Sequence, residues 1–417
     1  MATSTANAKY YIGLMSGTSA DGIDLALVSF DDVKDNDVSL SQNTTLKNTA
    51  CSTNVVAHYY QPYSEHIATQ IMQLYNTGHD EIDRAFSLDV ALAHLFFEAI
   101  KCFLEQEQLT PSDIIAIGNH GQTIRHRPSI NFPFTLQIGC CQTLATLTGI
   151  RVIGQFRKKD IALGGQGAPL VPAFHDDVFS DPISDVFVVN IGGIANITYL
   201  PSRQNRNTVN KESAQKVVIG FDTGPGNALM DEWYLQHNKN SASQYDKDGV
   251  WASTGEVNTS LLKHLMSDEY FLLNAPKSTG REYFNLPWLR LKLAQFEKTN
   301  SPLTPQSIQA TLTMLTAESL CKDINDLAEN GLVYLCGGGI HNKALMAQIT
   351  SLLCGEEHHK TKRFTLLNTL TKNIDGDLVE AVAFAWLAFA YDHQINSNMP
   401  AVTGASKACT LGTCFTP

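Results

Sequence analysis

Met15-Ser-Gly-Thr-Ser-Ala-Asp-Gly-Ile-Asp24 and Gly220-Phe-Asp-Thr-Gly-Pro-Gly-Asn227 are the two most informative segments of this chain. Each follows a short apolar run, residues 10–14 and 217–219, that is typical of a β-strand. Glycines let the backbone approach a ligand closely, and the hydroxyls and carboxylates beside them suit a phosphate or a metal ion. Two such loops predict two lobes that present loops to one polyphosphate. The pattern therefore favours a phosphotransferase.

Composition narrows the class of protein. The 417 residues are 43% hydrophobic and 17% charged, which favours two domains with large cores. A net charge of −11 argues against a nucleic-acid-binding protein, and no apolar run reaches the length of a membrane span. The first nine residues lack the apolar centre of a signal peptide. Nine cysteines without a Cys-x-x-Cys pair are typical of reduced thiols, so we expect a cytoplasmic protein.

Apolar periodicity predicts an α/β chain. Residues 83–107, 307–329 and 377–393 have the spacing of helices, and short apolar strands lie between such helices in both halves. Each half also opens with a pair of strands that resembles a hairpin. We therefore expect a duplicated α/β architecture, although repetition at the level of residues is too weak to establish duplication.

The first loop, residues 17–24, combines backbone N–H groups with hydroxyls that suit phosphate oxygens. Asp21 and Asp24 are placed to orient Mg²⁺ or substrate hydroxyls. The alternative is an ordinary hairpin, because Asp21-Gly22 is a strong turn signal by itself. The second loop distinguishes a functional loop from a simple turn.

Asp222 is the lone carboxylate of the second loop, at the end of a predicted strand. There it would act as a general base on a hydroxyl or a water molecule. The alternative is an aspartate that caps a helix or a turn, but Asn227 suits the cap better because the helix begins there. A third segment, residues 337–339, is a glycine triplet that either approaches a nucleotide closely or forms a tight turn.

Further polar residues are candidates for substrate binding. His120 and Arg125 follow a buried strand, Arg157 and Asp160 precede a glycine-rich segment, and Glu380 begins an apolar helix. The fork of a guanidinium group binds carboxylates in a bidentate manner, so the arginines suit an anionic substrate. For each of these residues a structural role, such as a helix cap, is the alternative.

Taken together, the motifs resemble those of the anhydro-N-acetylmuramic acid kinases, a family of the sugar kinase, heat-shock protein 70 and actin superfamily. The resemblance covers nearly the whole chain. The matching segments occur in order at residues 15–24, 120–126, 156–160 with 164–172, 190–196, 220–227, 277–281 with 284–288, 336–342, 380–388 and 402–405.

This resemblance implies a two-lobed actin-like ATPase fold, with duplicated ribonuclease H-like domains and a central cleft. Residues 1–150 with about 395–417 would form the N-terminal lobe, and residues 151–394 the C-terminal lobe. ATP and the substrate would bind in the cleft between them. The family is often homodimeric, so we expect a homodimer.

The resemblance also implies a reaction. Asp222 would take a proton from a water molecule that attacks the anomeric carbon of 1,6-anhydro-N-acetylmuramic acid, and the released O6 would accept the γ-phosphoryl group of ATP. The product, N-acetylmuramic acid 6-phosphate, belongs to peptidoglycan recycling. Gln155 replaces an aspartate found in many members, and Lys158-Lys159 replace frequent arginines.

Two other functions remain as alternatives: an ordinary hexosamine kinase of the same superfamily and a nucleotide-gated assembly protein. ATP and Mg²⁺ are the expected cofactors, with no metal ligands assigned. The expected partners are an amino sugar and ATP, without nucleic acid or membrane. The candidate site residues are catalytic Asp222; cofactor-binding Gly17, Thr18, Ser19, Ala20, Asp21, Gly22, Ile23, Asp24, Gly224, Gly226, Asn227, Gly337, Gly338 and Gly339; and substrate-binding His120, Arg125, Arg157, Asp160 and Glu380.

Overall fold

The computed structural model describes residues 9–31, 52–207, 216–355 and 363–417. The chain forms two compact units. Unit 1 comprises Met1–Val178, Lys372–Ile374 and Leu378–Pro417, and unit 2 comprises Phe179–Thr371 and Asp375–Asp377.

The strands of unit 1 are β1 (Tyr10–Ser16), β2 (Gly22–Asp31), β3 (Ser52–Pro62), β4 (Ile114–Arg127), β5 (Phe134–Ile138), β6 (Val152–Gly154) and β12 (Thr413–Phe415). The strands of unit 2 are β7 (Val186–Ile191), β8 (Ile194–Leu200), β9 (Ile219–Pro225), β10 (Gly331–Cys336) and β11 (Phe364–Asn368).

The helices are α1 (Glu65–Gln73), α2 (Glu81–Gln106), α3 (Cys141–Thr148), α4 (Phe156–Ala162), α5 (Val171–Phe179), α6 (Arg203–Asn207), α7 (Ala228–His237), α8 (Thr259–Met266), α9 (Glu269–Leu272), α10 (Leu286–Phe296), α11 (Pro305–Leu327), α12 (Lys343–Cys354), α13 (Val379–Asp392) and α14 (Pro400–Thr403). Short 3₁₀ turns occupy Pro111–Asp113, Lys247–Gly249, Ala252–Thr254, Gly338–His341 and Thr369–Lys372. The three helices predicted from apolar periodicity are confirmed as α2, α11 and α13. None of the helices in the described ranges is both long and apolar enough to cross a lipid bilayer.

The two sheets share one topology. Strands β1, β2 and β3 form an antiparallel meander, and β4 and then β6 extend the sheet in parallel on the side of β1. Strands β7, β8 and β9 form an equivalent meander, which β10 and then β11 extend in parallel on the side of β7. The meander and its two parallel neighbours thus follow the same order in both units, and unit 1 adds β5, which pairs with β4, and β12, which pairs with β6. This repetition confirms the predicted duplicated α/β architecture.

Alternation along β1 explains how unit 1 is layered. Ile12 and Leu14 are fully buried in a core that includes Phe96 and Phe103 of α2. Gly13, between them, points to the opposite face, where a Cβ would overlap a backbone carbonyl of α13. The glycine therefore allows α13 to lie directly on the sheet.

The compact units differ in extent from the lobes expected from the sequence. Residues 151–178 and helix α13 belong to unit 1, whereas the sequence placed residues 151–394 in the second lobe. Two contacts account for the difference. Strand β6 pairs with β4 of the first sheet, and α13 packs against β1, β2 and β4. Long-range pairing of this kind leaves no compositional break in the sequence.

Candidate active site

The hairpin between β1 and β2 carries the first glycine-rich loop. Thr18, Ser19 and Asp21 are exposed, and Gly17 is half-buried. The Ser19 hydroxyl donates a hydrogen bond to Asp21 Oδ1 at 2.7 Å, and Ala20 adopts a left-handed conformation with φ of 54°. The loop thus offers two hydroxyls, one carboxylate and its backbone to a ligand.

Buried side chains fix the shape of this loop. Ser16 and Gln122 are almost fully buried, and the Ser16 hydroxyl donates to Gln122 Oε1 at 2.5 Å. Gln122 Nε2 donates to the carbonyl oxygen of Gly17 at 3.1 Å, and the Tyr75 hydroxyl donates to that of Thr18 at 2.9 Å. Sequence reasoning missed Gln122 as a supporting residue, although it lies in the motif that contains His120.

Part of the predicted cofactor loop faces the protein rather than solvent. The Ile23 side chain is fully buried in the unit 1 core, and Ala20 is 2% exposed. At Gly22 a Cβ would lie 2.6 Å from the carbonyl oxygen of Gln61. Asp24, next to Ile23 on β2, is half-buried. The side chain of Ile23 is therefore unavailable to a cofactor, because alternation along β2 directs it into the core.

His120 and Arg157 meet in unit 1. Arg157 donates to His120 Nε2 from Nη2 at 2.9 Å and from Nε at 3.3 Å, and its Nη1 donates to the carbonyl oxygen of Gly167 at 2.8 Å. Burial, with a smaller effect of the Arg157 charge, lowers the pKa of His120 to about 3. The imidazole is therefore neutral, and its proton is on Nδ1 because Nε2 accepts.

The carboxylate of Glu380 interacts electrostatically with the guanidinium group of Arg157. It lies in the first turn of α13 and is accessible to solvent. Loss of surrounding water raises the pKa of Glu380, and the positive charge of Arg157 opposes this. In turn, burial lowers the pKa of Arg157 to about 10, which leaves it cationic at neutral pH. The structure thus brings three of the five predicted substrate residues into one electrostatic group.

Arg125 does not join that group. Its Nη2 forms an ion pair with Glu81 of α2, and its Nη1 donates to the carbonyl oxygen of Leu74. The Arg125 side chain is 10% exposed. The charge of Arg125 is thus neutralised by Glu81, and both of these donors are engaged within the protein.

Asp160 is also structural. It is fully buried, and its Oδ1 accepts hydrogen bonds from Asn398 Nδ2 at 2.9 Å and the Thr403 hydroxyl at 2.8 Å. Its Oδ2 accepts from the backbone N–H of Gly167 at 2.8 Å. Asp160 therefore forms a buried link between the glycine-rich segment after α4 and the segment around α14.

A pocket of about 260 Å³ lies between α2 and β5 in unit 1. Its lining includes Phe86, Leu136 and Phe415 with Gln155 and Lys158. Asn119 and His120 also line the pocket. Gln155 and Lys158, two positions singled out in the sequence analysis, therefore border a cavity.

Asp222 lies in unit 2 on β9. Its Oδ2 accepts hydrogen bonds from the Ser278 hydroxyl and the backbone N–H of Thr279, both at 3.0 Å. Among the described residues, no group donates a hydrogen bond to Oδ1. Burial raises the pKa of Asp222, the two hydrogen bonds lower it, and the charge of Glu282 raises it. One oxygen is thus fixed while the other is available to accept a proton.

Two buried residues hold the backbone of Asp222. Its N–H donates to the carbonyl oxygen of Lys277 at 3.0 Å, and its carbonyl oxygen accepts from the Tyr270 hydroxyl at 2.6 Å. Lys277 Nζ lies 3.0 Å from Asp323 Oδ2, with the two side chains 3% and 7% exposed. Sequence reasoning missed Tyr270 and Asp323. Lys277, Ser278 and Thr279 lie in a segment that matches the family, and that match was their only signal.

Three glycine-containing loops meet at one end of the second sheet. Backbone N–H groups of Gly226 and Asn227 donate to the carbonyl oxygens of Gly193 and Gly192, at 2.9 and 2.8 Å. The Asn227 amide also lies beside Gly338, where an added Cβ would be 3.9 Å from Nδ2. The structure therefore brings together the predicted cofactor residues of the second loop and of the glycine triplet.

Most glycines of these loops serve packing within the protein. A Cβ at Gly226 would overlap the carbonyl oxygen of Gly192, and one at Gly224 would lie 2.8 Å from the Phe271 ring. Gly337 and Gly339 pack against Asn190 and Ile191 in the same way. Gly338 is the exposed member of the triplet and has open space around it. It is the glycine of the triplet that a ligand would approach.

The two units repeat one arrangement of strands and carry polar, glycine-containing loops at the strand ends, which defines the class: a duplicated α/β protein of the phosphotransferase type. Residues 9–417 match the family model described as "Anhydro-N-acetylmuramic acid kinase". The chain belongs to this family of kinases.

Individual relatives agree with the family model. The chain is 56% identical to the anhydro-N-acetylmuramic acid kinase of Colwellia psychrerythraea, over 99% of this chain and 98% of that protein. It is 45% identical to the enzyme of the same name from Shewanella denitrificans, over 97% of each chain. Among solved structures, the activator of the 2-hydroxyisocaproyl-CoA dehydratase from Clostridium difficile aligns with a TM-score of 0.37 and 11% identity, over 91% of this chain and 94% of that one.

Proposed function

We propose that this enzyme phosphorylates 1,6-anhydro-N-acetylmuramic acid with ATP and opens the anhydro ring by hydrolysis in the same reaction. The products are N-acetylmuramic acid 6-phosphate and ADP, and the pathway served is the recycling of peptidoglycan. The observation that carries the proposal, beside family membership, is the state of Asp222. One of its oxygens is fixed by Ser278 and Thr279, and the other has no donor among the described residues.

Asp222 acts as the general base. Its Oδ1 accepts a proton from a water molecule whose oxygen attacks the anomeric carbon. The bond from that carbon to O6 breaks, and O6 takes the γ-phosphoryl group of ATP, so that water supplies the new anomeric hydroxyl. Burial raises the pKa of Asp222, which makes the carboxylate a stronger base than one in water.

We propose that residues 17–24 bind the phosphates of ATP. Their support is the exposure of Thr18, Ser19 and Asp21 on a loop whose backbone is fixed by Gln122 and Tyr75. Hydroxyl and carboxylate oxygens are the ligands that Mg²⁺ prefers, so the same loop suits Mg²⁺ that accompanies ATP. When bound, the ion would neutralise negative charge on the phosphates.

We propose that Arg157, His120 and Glu380 contact the amino sugar. The positive charge of Arg157 suits the lactyl carboxylate, and the neutral His120 orients the guanidinium through Nε2. The pocket beside His120, lined in part by Phe86 and Leu136, is large enough for an acetamido group. Arg125 and Asp160 have no part in this proposal, because their partners lie within the protein.

A coupled assay tests the proposed reaction. ADP release is measured with ATP, Mg²⁺ and 1,6-anhydro-N-acetylmuramic acid in ¹⁸O water, and the product is analysed by mass spectrometry. We expect one ¹⁸O at the anomeric carbon and loss of turnover by about 10²–10⁴-fold in Asp222→Asn. Asp326→Asn is the matched control, because Asp326 is an exposed carboxylate paired with Lys322. The control is expected to keep full activity.

Other outcomes of this assay identify the alternatives. If free hexosamines are phosphorylated and the anhydro sugar is not, the result would indicate an ordinary hexosamine kinase, which family membership disfavours. ADP release that does not depend on any sugar would indicate a nucleotide-gated assembly protein. A product without ¹⁸O would contradict the hydrolytic half of the proposal.

We propose that the enzyme is a homodimer. Its support is a stripe of exposed apolar side chains on α2, formed by Ile82, Phe86 and Val90. Light scattering is expected to give twice the chain mass of 45.7 kDa, and Phe86→Glu is expected to lower it. The control is Leu352→Glu, at an exposed apolar residue of unit 2. A monomeric wild-type protein would contradict the proposal.

We propose that the enzyme acts in the cytoplasm. Its support is that the eight cysteines within the described ranges form no disulfide bond. Reduced thiols persist in the cytoplasm, whereas oxidising compartments favour disulfides. Fractionation of cells that express the tagged protein tests the location, and recovery from the periplasm would contradict it.

A further inference from the structure

Arg281 carries a charge for which the described structure provides no partner. Its side chain is exposed, and among the described residues its guanidinium group makes no hydrogen bond and no ion pair. The guanidinium lies against the backbone of Gly193. A Cβ added at Gly193 would be 2.7 Å from both Nε and Nη2 of Arg281. The absence of a side chain at Gly193 therefore gives the guanidinium its place.

The turn under this guanidinium supports the second glycine-rich loop. The carbonyl oxygens of Gly192 and Gly193 accept hydrogen bonds from Asn227 and Gly226, which end that loop just before α7. Arg281 therefore lies at the point where the β7–β8 turn and the loop before α7 are joined. The loop before α7 contains the predicted cofactor residues Gly226 and Asn227, and the β7–β8 turn holds their backbone.

The carboxylates around Arg281 do not neutralise it by direct pairing. Asp231, in the first turn of α7, is the carboxylate on which the Arg281 charge acts most clearly. The pKa of Asp231 is raised to about 7. Burial is the main cause, the positive charge of Arg281 opposes it, and the negative charges of Asp246 and Glu232 add to it. Asp246 accepts hydrogen bonds from the backbone of Trp251 and Ala252, so its charge is already engaged. The N–H donors of the Arg281 guanidinium group therefore make no hydrogen bond among the described residues.

The segment that carries Arg281 also fixes the general base. Ser278 and Thr279 donate hydrogen bonds to Asp222 Oδ2, and Arg281 follows two residues later. Residues 278–281 therefore hold the Asp222 carboxylate in place and also present the positive charge of Arg281. Of the arginines predicted from sequence, Arg125 is paired with Glu81, and Arg157 lies in unit 1, where it donates to His120 and Gly167, so neither stands beside the general base.

We propose that Arg281 binds an oxyanion of a substrate through its planar fork, either the γ-phosphoryl group of ATP or the carboxylate of the sugar's lactyl group. The proposal rests on the proposed function. Both anions present two oxygens to a bidentate donor, so they share the chemistry that recognises them. A positive charge here offsets the repulsion between a phosphoryl group and the Asp222 carboxylate, and arginines in comparable positions of phosphotransferases contribute about 10³–10⁵ in kcat.

The test compares Arg281→Met, Arg281→Gln and Arg281→Lys with Arg290→Met. Arg290 is an exposed arginine of α10 that donates to Gln236 Oε1, and it serves as the matched control. Each protein is assayed with 1,6-anhydro-N-acetylmuramic acid and with 1,6-anhydro-N-acetylglucosamine, which lacks the lactyl carboxylate. Affinities for ATP and for each sugar are measured separately by calorimetry.

The two sources of the anion give different results. If Arg281 binds the phosphoryl group, kcat falls at least about 100-fold with both sugars, the affinity for the sugars is unchanged, and Arg281→Lys recovers part of the loss. If it binds the lactyl carboxylate, KM and calorimetric Kd rise about 10–100-fold for the acidic sugar and stay constant for the other. Arg290→Met is expected to behave as the wild type in both cases.

The proposal is overturned if Arg281→Met and Arg281→Gln stay within about twofold of the wild type in every constant. It is equally overturned if both variants lose activity only in proportion to folded protein, as measured by near-ultraviolet circular dichroism. Should the wild-type enzyme turn over neither sugar, the proposed function fails while this proposal is still tested. The probe is then inorganic tripolyphosphate, whose calorimetric binding must weaken in Arg281→Met, and unchanged binding would refute the role of Arg281.

Discussion

The two glycine-rich loops look alike in sequence but differ in how the protein uses them. Residues 17–24 form a hairpin turn whose exposed tip is fixed by side chains, chiefly Gln122 and Tyr75. Residues 220–227 are fixed by their own backbone, which bonds to Gly192 and Gly193, and their glycines pack against protein atoms. The first loop therefore leaves Gly17 and two hydroxyls for a ligand, whereas the second uses glycines to place one carboxylate.

This difference indicates two separate tasks. A phosphate-binding loop needs exposed donors with a fixed backbone, and side-chain hydrogen bonds supply that without covering the donors. A general base needs a precise position and partial exclusion of water, and close backbone packing around Asp222 supplies both. Variants in each loop can therefore separate effects on folding from effects on ligand binding.

The largest effect is expected at the buried pair beneath the second loop. Lys277→Met leaves the Asp323 carboxylate buried without its partner, which is expected to cost about 3–5 kcal/mol in the free energy of unfolding. Chemical denaturation measures the loss, and Lys322→Met, at an exposed pair with Asp326, is expected to change it by less than about 1 kcal/mol.

A double variant checks the cause of this loss. Lys277→Met with Asp323→Leu removes both charges and is expected to recover a large part of the stability. If the double variant is no more stable than Lys277→Met, the buried carboxylate is not the reason for the loss.

A pair of glycine variants compares the two loops directly. Gly226→Ala places a methyl group onto the carbonyl oxygen of Gly192 and is expected to lower stability by about 1–3 kcal/mol or more. At Gly17 the nearest atom to an added Cβ is Ser19 Oγ at 3.5 Å, so Gly17→Ala is expected to keep its melting temperature. Its effect is expected in KM for ATP instead. Equal melting temperatures for the two variants would contradict the distinction between the loops.

Much of the fold could be predicted from the sequence, because the strands and long helices have strong local periodicity. The apolar spacing of residues 83–107 predicted helix α2, Glu81–Gln106, within two residues at each end. The extent of the units could not be predicted in this way. Helix α13 packs on β1 through Gly13, and nothing near residue 379 in the sequence indicates a contact with residue 13.

The candidate site was predicted in part, for a related reason. Asp222 and His120 stand out as polar residues that follow apolar runs, and Arg157 stands out because it precedes a glycine-rich segment. Arg125 and Asp160 stood out equally, but their partners are distant in the chain. Asn398, for example, is 238 residues from Asp160. A buried structural carboxylate and a substrate-binding one cannot be told apart until such partners are known.

A smaller effect is expected from the side chains that fix the first loop. Gln122→Ala removes the donor to the Gly17 carbonyl oxygen and the acceptor of the Ser16 hydroxyl, at a cost of about 1–3 kcal/mol in stability. KM for ATP is expected to rise about tenfold, while KM for the sugar changes little. Gln106→Ala, at an exposed glutamine of α2, is the control.

Tyr75→Phe tests the shape of residues 17–24 with less effect on the packing around them. It removes the hydroxyl that donates to the Thr18 carbonyl oxygen and keeps the aromatic ring. We expect a rise in KM for ATP without a change of melting temperature beyond a few degrees. An unchanged KM for ATP in both variants would show that the shape of this loop does not matter for the nucleotide.

The smallest effect is expected at Ser278, next to the general base. Its hydroxyl donates to Asp222 Oδ2 and lowers the pKa of Asp222, so Ser278→Ala raises that pKa further. Asp222 must be deprotonated to accept a proton, and activity is therefore lost as the pH falls through its pKa. The acid limb of kcat/KM is expected to move to higher pH, with less than about a threefold change at pH 8, where the carboxylate is ionised in both proteins.

His120 does not add a second limb to this pH profile, because its pKa of about 3 keeps it neutral through this range. An acid limb that moves to lower pH in Ser278→Ala would show that another group, and not Asp222, accepts the proton.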